Sequence, residues 1–216
     1  MKLSAEQITQ IKSWISKRGF THTDVQYEIL DHVASAIEDK MEEKPELDLE
    51  EAFEEVHKSF GVLGFSTIED AISSRVQKEV FNAYLNAGKK ILTSYRVFLP
   101  LLIIFSLISV YQQLPEYFEM TTLILFSTFV LTAVIFIIKL YVQKNEIRKY
   151  RSFQIAISFA LIITVNILSI QTNLITNLHP NYKMVAYSFL IIIVYSIFLG
   201  TRQMIRKTKK LHHLYQ

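Results

Sequence analysis

Three side chains able to carry chemistry lie close together in the first third of the sequence: Glu28, Asp31 and His32. Glu28 and His32 are four residues apart, so on a helix they share one face, which is the spacing that metal-binding helices use. A second histidine, His57, falls on the next predicted helix. Because the face with Glu28 and His32 points away from the apolar residues and few ligands converge, we expect no metal and no other cofactor there. The face, extended by Glu38, is predicted to bind a protein partner.

Motifs of known enzymes are missing from the sequence. There is no cysteine, which excludes disulfides and thiolate chemistry. A P-loop, a glycine-rich phosphate cradle, a nucleophile-elbow serine and an HExxH motif are all absent. We therefore predict no catalytic residues and no enzymatic activity.

The charges are divided unevenly along the chain. Residues 1–88 hold 9 Lys/Arg against 17 Asp/Glu, a net charge of −8, whereas residues 89–216 hold 14 against 3, a net charge of +11. Long apolar runs occur only in the second part. The sequence thus predicts an acidic cytoplasmic helical domain over residues 1–88 and a membrane domain over residues 89–216. The negative charge of the first domain opposes nucleic-acid binding, because phosphate contacts need lysine and arginine.

The elements that position the predicted partner-binding face of Glu28, Asp31, His32 and Glu38 are expected to be four short helices. Each begins at a recognisable N-terminal signal, and the first three end at glycine or proline. The second begins at Thr21 or Thr23 and carries Glu28, Asp31 and His32. The fourth either runs almost to the first membrane segment or ends near Gly88 in a flexible linker. The capping pairs of the other three helices are Ser4 with Gln7, Asp48 with Glu51, and Ser66 with Glu69.

A membrane helix needs about 20 mostly apolar residues to cross the hydrocarbon core of a bilayer. Four segments meet this length, at about residues 96–114, 120–142, 152–174 and 184–200. Charged residues occur only near their ends. The predicted fold is therefore all-α, with a small cytoplasmic helical bundle followed by a four-helix transmembrane bundle and a basic cytoplasmic tail.

Basic residues predict the orientation, because loops that stay in the cytoplasm carry an excess of lysine and arginine. Thirteen basic residues flank the segments on one side, and only Lys183 lies on the other. Both termini are thus predicted on the cytoplasmic side of the membrane. The basic residues assigned to the membrane interface are Lys144, Arg148, Lys149, Arg151, Arg206, Lys207, Lys209 and Lys210.

Polar residues inside the four segments are few. No Asp, Glu or His falls within a segment, although coupled transporters and intramembrane hydrolases commonly place such groups at mid-depth. One polar cluster, Thr164, Asn166 and Ser169, lies in the third segment. It has two interpretations: hydrogen bonds between helices, which we favour, and the lining of a transport path.

Three stretches of the acidic domain carry a family resemblance. They are the run from Glu28 to Glu38, the triplet Glu51-Ala52-Phe53, and the turn from Phe60 to Phe65. Together they make residues 5–75 similar to the bacterial HAAS-like helical domains, which are small cytoplasmic modules that precede transmembrane helices and are often encoded beside PadR-type transcriptional regulators. The resemblance implies a sensor or regulatory protein of the bacterial inner membrane with a protein-binding head, and it implies no catalytic residues.

Two hypotheses of function follow from the sequence. The first is a non-enzymatic regulatory or signalling membrane protein whose helical head binds a cytoplasmic protein. The alternative is a small permease, or an accessory subunit of a transporter, in which polar side chains of the bundle converge on one path. The expected partners are the lipid bilayer and a cytoplasmic protein, with self-association into a homo-oligomer left open.

Overall fold

The computed structural model describes residues 2–171, 175 and 178–214. Within these residues it contains eight α-helices, some joined by short 3₁₀ turns, and no β-strand, which confirms the all-α prediction. The chain forms two compact units: Met1–Gln77 with Ile147–Gln154, and Lys78–Glu146 with Ile155–Gln216. Segment 147–154, which the sequence analysis places in the membrane domain, is thus grouped with the N-terminal helices.

The first unit consists of the N-terminal helices, two of which begin at their predicted capping boxes. Ser4 and Asp48 each accept a hydrogen bond from the backbone N–H three residues on, and the side chains of Gln7 and Glu51 accept one from the cap in return. The capping boxes at Ser4 and Asp48 are therefore confirmed.

The helices of this unit are α1 (Ala5–Lys17), α2 (Thr23–Glu43), α3 (Leu49–Ser59) and the first turns of α4 (Ser66–Leu92). α2 begins at Thr23, one of the two predicted starts, after His22, whose side chain makes no cap hydrogen bond. α4 begins at Ser66 itself, so the predicted cap is the first residue of the helix.

The apolar stripes of α1, α2 and α3 form the core of the first unit. The turn between α3 and α4 adds Phe65, whose ring lies 4.8 Å from the ring of His57 in an edge-on contact. Gly61 and Gly64 adopt positive φ angles of 73° and 52° in this turn, a conformation that glycine adopts without strain. The fully buried side chains include Ile11, Ile15, Val25, Ile29, Val33, Ile37, Phe53 and Val56.

The second unit contains the remainder of α4 and the long apolar helices. These are α5 (Phe98–Gln113), α6 (Phe118–Gln143), most of α7 (Arg151–Ile170) and α8 (Pro180–Leu214). Among the described residues, four stretches are long and apolar enough to cross a membrane: Tyr95–Gln113, Pro115–Gln143, Arg151–Ile170 and Tyr182–Leu214. The chain is therefore a multi-pass membrane protein.

The helices confirm the four predicted segments and change the bounds of one. α8 continues to Leu214, well beyond the predicted end at about residue 200, so the basic tail is helical through that residue. The predicted end of the third segment, at about residue 174, lies outside the described residues.

α4 passes through Gly88 without a break and then packs closely on α8 within the second unit. A Cβ atom on Gly88 would come within 3.1 Å of the Ser196 hydroxyl oxygen, and one on Gly200 within 3.0 Å of the Ala83 carbonyl carbon. Small residues of this kind let two helix backbones approach each other. Gly88 is thus a contact residue inside a helix, and the flexible linker is not formed there.

Tyr84 joins α4 to two of the apolar helices. Its hydroxyl oxygen lies 3.2 Å from the carbonyl oxygen of Ala156 on α7 and 3.2 Å from the hydroxyl oxygen of Thr201 on α8. The phenol of Tyr84 is protonated at neutral pH and can donate to Ala156. Burial raises its pKa further, to about 12. The three helices therefore share one hydrogen-bonded point.

Candidate functional site

The predicted partner-binding residues of α2 lie on one face but differ in their contacts. Asp31 and His32 are exposed. Glu28 is half-buried and forms an ion pair with Arg75 at 3.4 Å, and the Glu38 carboxylate accepts a hydrogen bond from the backbone N–H of Leu3 at 2.9 Å. Two of the four residues thus have partners within the first unit, and Asp31 and His32 are the exposed centre of what we call the acidic face.

His57 does not extend the acidic face. Its ring packs edge-on against Phe65. A Cβ atom added to Gly64 would lie only 3.0 Å from the Nε2 atom of His57. No group of three or more His, Asp or Glu side chains in the described part of the chain is placed to hold a metal ion. His57 is a packing residue between α3 and the following turn.

The first unit contains a second, longer-range arrangement around Asp24. One carboxylate oxygen accepts the backbone N–H of Arg151 at 2.7 Å, and the other accepts the backbone N–H of Ser152 at 2.9 Å. These N–H groups belong to the first turn of α7, where the helix provides no partners of its own. Asp24 therefore serves as the N-terminal cap of a helix that begins more than a hundred residues later, and we call this contact the α7 cap.

Further contacts hold the same segment in the first unit. The backbone N–H of Thr23 donates to the carbonyl of Lys149 at 3.1 Å, and His22 Nε2 lies 3.1 Å from the Gln154 side-chain oxygen. The Arg151 guanidinium lies 3.9 Å from the Glu69 carboxylate. Around these polar contacts the segment buries Ile147, Tyr150 and Phe153.

The electrostatics of the α7 cap favour an acidic residue at position 24. The N-terminus of a helix carries a partial positive charge, so a carboxylate placed there gains both hydrogen bonds and a favourable interaction with the helix dipole. Sequence analysis counted Asp24 only as part of the general acidity of the domain. A signal was present nonetheless, since Tyr150, the residue before α7, lacks the short oxygen-bearing side chain that N-caps prefer.

Five of the eight predicted interface lysines and arginines fall into two places. Lys149 takes part in the first-unit contacts described above through its backbone carbonyl. Arg151 takes part through its backbone N–H and through its side chain. Arg206, Lys207 and Lys210 line a groove in the second unit. Of the remaining three, Lys144 and Lys209 are half-buried and Arg148 is exposed.

Lys183, the exception to the charge bias of the loops, is neutralised locally. Its side chain is buried, and its ammonium group forms an ion pair with the exposed carboxylate of Glu119 in the second unit.

The predicted polar cluster of the third segment is not gathered on one surface. Thr164 is fully buried, and its hydroxyl has no hydrogen-bond partner among the described residues. Asn166 is exposed and its side-chain amide donates to the carbonyl of Ile162, four residues earlier, at 2.7 Å. Ser169 is also exposed. Hydroxyls of other apolar helices likewise bond to the carbonyl four residues back, namely those of Ser106, Ser109, Ser188 and Ser196.

No family model, no curated protein and no solved structure matches this chain. Its function is therefore argued from the arrangement of its own residues.

Proposed function

We propose that the chain is a non-enzymatic regulatory membrane protein whose helical head binds a cytoplasmic protein through the acidic face of α2. Binding at that face is passed to the membrane helices through the α7 cap. The observation that carries the proposal is the pair of hydrogen bonds from Arg151 and Ser152 to Asp24. Asp24 lies on the first turn of the same helix that presents Asp31 and His32.

A helix cap is suited to transmission because it has two discrete arrangements, formed and broken. Energetic coupling between distant sites needs elements that switch between such arrangements and that both sites bias. A partner that tilts or shifts α2 moves Asp24 away from the backbone of Arg151 and Ser152. The start of α7 then loses its cap, and α7 continues from there as an apolar helix.

The chemistry of the acidic face specifies the partner surface. Asp31 and Asp39 are exposed carboxylates on this face of α2, and the domain as a whole has a net charge of −8. Complementary potentials favour association with a positively charged surface. The proposed partner is therefore a cytoplasmic protein with exposed lysine or arginine. The similarity of residues 5–75 to the HAAS-like domains supports the same assignment.

The acidic face is tested with the full-length chain by quantitative affinity capture from membranes. We expect the Asp31→Ala, His32→Ala double variant to lose a protein that the unmodified chain retains. Asp70→Ala is the matched control, because it removes the same net charge from an exposed position of α4. Equal recovery of all proteins by the three forms would refute partner binding at this face.

The proposed orientation places both termini and segment 147–154 in the cytoplasm. Because the chain has no cysteine, single introduced cysteines report the side of the membrane on which they lie. In intact cells, a membrane-impermeant thiol reagent is expected to label Glu116→Cys and not Lys149→Cys. The reverse labelling pattern would contradict the orientation.

An accessory subunit of a transporter is the second candidate, and the exposed sides of α5 and α6 favour it. Large apolar side chains such as Leu102, Phe105, Leu125 and Leu131 are exposed there. They face lipid, another membrane protein or a second copy of the chain. Photo-crosslinking from position 105 distinguishes these cases: a specific heterologous membrane protein supports the accessory role, and lipid adducts alone remove this support.

A further inference from the structure

A basic groove runs between α4 and α8 in the second unit. Its volume is about 680 Å³. Three of its basic residues, Arg202, Arg206 and Lys210, follow each other at intervals of four residues, which puts them on one face of α8. The six basic residues that line the groove are Lys90, Arg96, Arg202, Arg206, Lys207 and Lys210.

The positive charge of the groove is largely uncompensated. Lys207 forms an ion pair with Glu79 at 2.6 Å. No carboxylate of the described residues pairs with the other five basic side chains. A cleft lined by charge of one sign focuses the electrostatic field and concentrates counter-ions. The groove therefore favours an anion.

Two of the arginines lie beside aromatic rings. The guanidinium carbon of Arg202 lies 5.6 Å from the ring centroid of Phe198, and that of Arg96 lies 6.0 Å from the ring of Tyr95. Contacts of this length are within the range of cation–π attraction. A guanidinium offers several donors in a planar fork that matches phosphate oxygens.

The groove lies where a membrane helix leaves the apolar part of its sequence. Leu199, the last residue of the long apolar run of α8, lines the groove together with Arg202. Arg96, in the 3₁₀ turn ahead of α5, directly precedes the apolar run that begins at Val97. Apolar side chains of Ala87 and Met204 form part of the same lining. The groove thus combines cationic side chains with apolar ones at the end of the apolar run of α8, which is where a membrane helix meets lipid head groups.

We propose that this groove binds the phosphate head group of an anionic phospholipid, with the first part of an acyl chain lying against Leu199 and Ala87. A soluble anion would make the polar contacts alone, whereas a phospholipid also covers the apolar lining. Basic pockets between membrane helices on the cytoplasmic side are a known form of anionic lipid site. Because the groove belongs to the second unit, the proposal does not depend on the acidic face or on the α7 cap.

The test is a lipid titration of the purified full-length protein followed by native mass spectrometry. Phosphatidylglycerol is compared with phosphatidylcholine of the same acyl chains. We expect the Arg202→Gln, Arg206→Gln double variant to bind phosphatidylglycerol about thirtyfold more weakly, since each basic residue near a lipid surface contributes about 1 kcal/mol. The matched control is Lys17→Gln, Lys58→Gln, which removes the same charge from exposed positions of the first unit and should bind as the unmodified protein does.

Further arms separate a lipid site from other anion sites and from misfolding. The Arg202→Lys, Arg206→Lys variant keeps both charges and is expected to restore most of the preference, which misfolding would not allow. Inorganic phosphate, soluble glycerophosphoglycerol and a polyglutamate peptide should each fail to displace the lipid at equal concentration. Displacement by any of them, equal binding of the two lipids, or an equal loss in the control variant would overturn the proposal.

Discussion

Replacing Asp24 with alanine is expected to release the start of α7 from the first unit. The substitution removes both acceptors of the Arg151 and Ser152 N–H groups, and Ser152 is buried, so water does not replace the lost bonds fully. Loss of an N-cap side chain costs about 1 kcal/mol, and the interaction of a carboxylate with the helix dipole adds up to about 1 kcal/mol more. We therefore expect the free energy of local opening to fall by about 2 kcal/mol, which raises the equilibrium constant for opening about thirtyfold. Asp24→Asn keeps one acceptor and should lie about midway.

Trypsin measures this opening directly, because the held segment contains Lys149 and Arg151. Cleavage of a folded segment requires local unfolding, and its rate follows the opening equilibrium when the segment closes faster than it is cut. The rate of cleavage after Arg151 is measured in the full-length protein by mass spectrometry. The expected cleavage rate is highest for Asp24→Ala, intermediate for Asp24→Asn and lowest for the unmodified chain.

Asp70→Ala serves as the control, since Asp70 is an exposed acidic residue of α4 in the same unit. It should leave the cleavage rate after Arg151 unchanged. If Asp24→Ala and Asp70→Ala were cleaved at the same rate, the α7 cap would contribute nothing, and the proposed path from the acidic face to α7 would be wrong.

Three further predictions concern contacts of the individual units. Gly200→Ala places a methyl group against the Tyr84 ring and the α4 backbone, and overpacking of this kind costs about 1–3 kcal/mol, which should lower the midpoint of thermal unfolding in detergent. Tyr84→Phe removes the hydrogen bonds of the phenol, including that with Thr201, and should lower the same midpoint by less, because such bonds in membrane proteins average about 0.6 kcal/mol. Lys40 beside Glu55 holds the pKa of that carboxyl below its ordinary value, so the stabilisation is present above the ordinary pKa and is lost as the pH falls through the lowered one. Glu55→Gln should therefore reduce the loss of stability in acid, followed by the fluorescence of the single tryptophan.

The elements that sequence analysis predicted correctly are those specified by neighbouring residues. A capping box joins residues three apart, as at Ser4 and Asp48, and an apolar run of about 20 residues identifies a membrane helix by itself. Neither signal needs knowledge of the rest of the fold. The α7 cap could not be predicted in this way, because Asp24 and Arg151 are 127 residues apart. No sequence signal near either residue indicates that the two are in contact.

Gly88 illustrates a local signal with two physical meanings. Glycine weakens an isolated helix, so a linker near residue 88 was a reasonable alternative. The same missing side chain allows a close helix contact, and the position of Ser196 opposite Gly88 decides between the two. Propensity alone leaves this choice open, since the stabilisation comes from packing against a helix more than a hundred residues away.

The basic residues also have two roles, and one variant separates them. Orientation in the membrane depends on how many lysines and arginines flank the helices, with little regard to their spacing. A groove that binds phosphate depends on the spacing, as at Arg202, Arg206 and Lys210 on one face of α8. The Arg202→Gln, Arg206→Gln variant keeps eleven of the thirteen flanking basic residues, so cysteine labelling should find its orientation unchanged while its lipid preference falls. An inverted orientation in this variant would show that these arginines determine the topology. Their role in orientation, as predicted from the sequence, would then account for them without a lipid site.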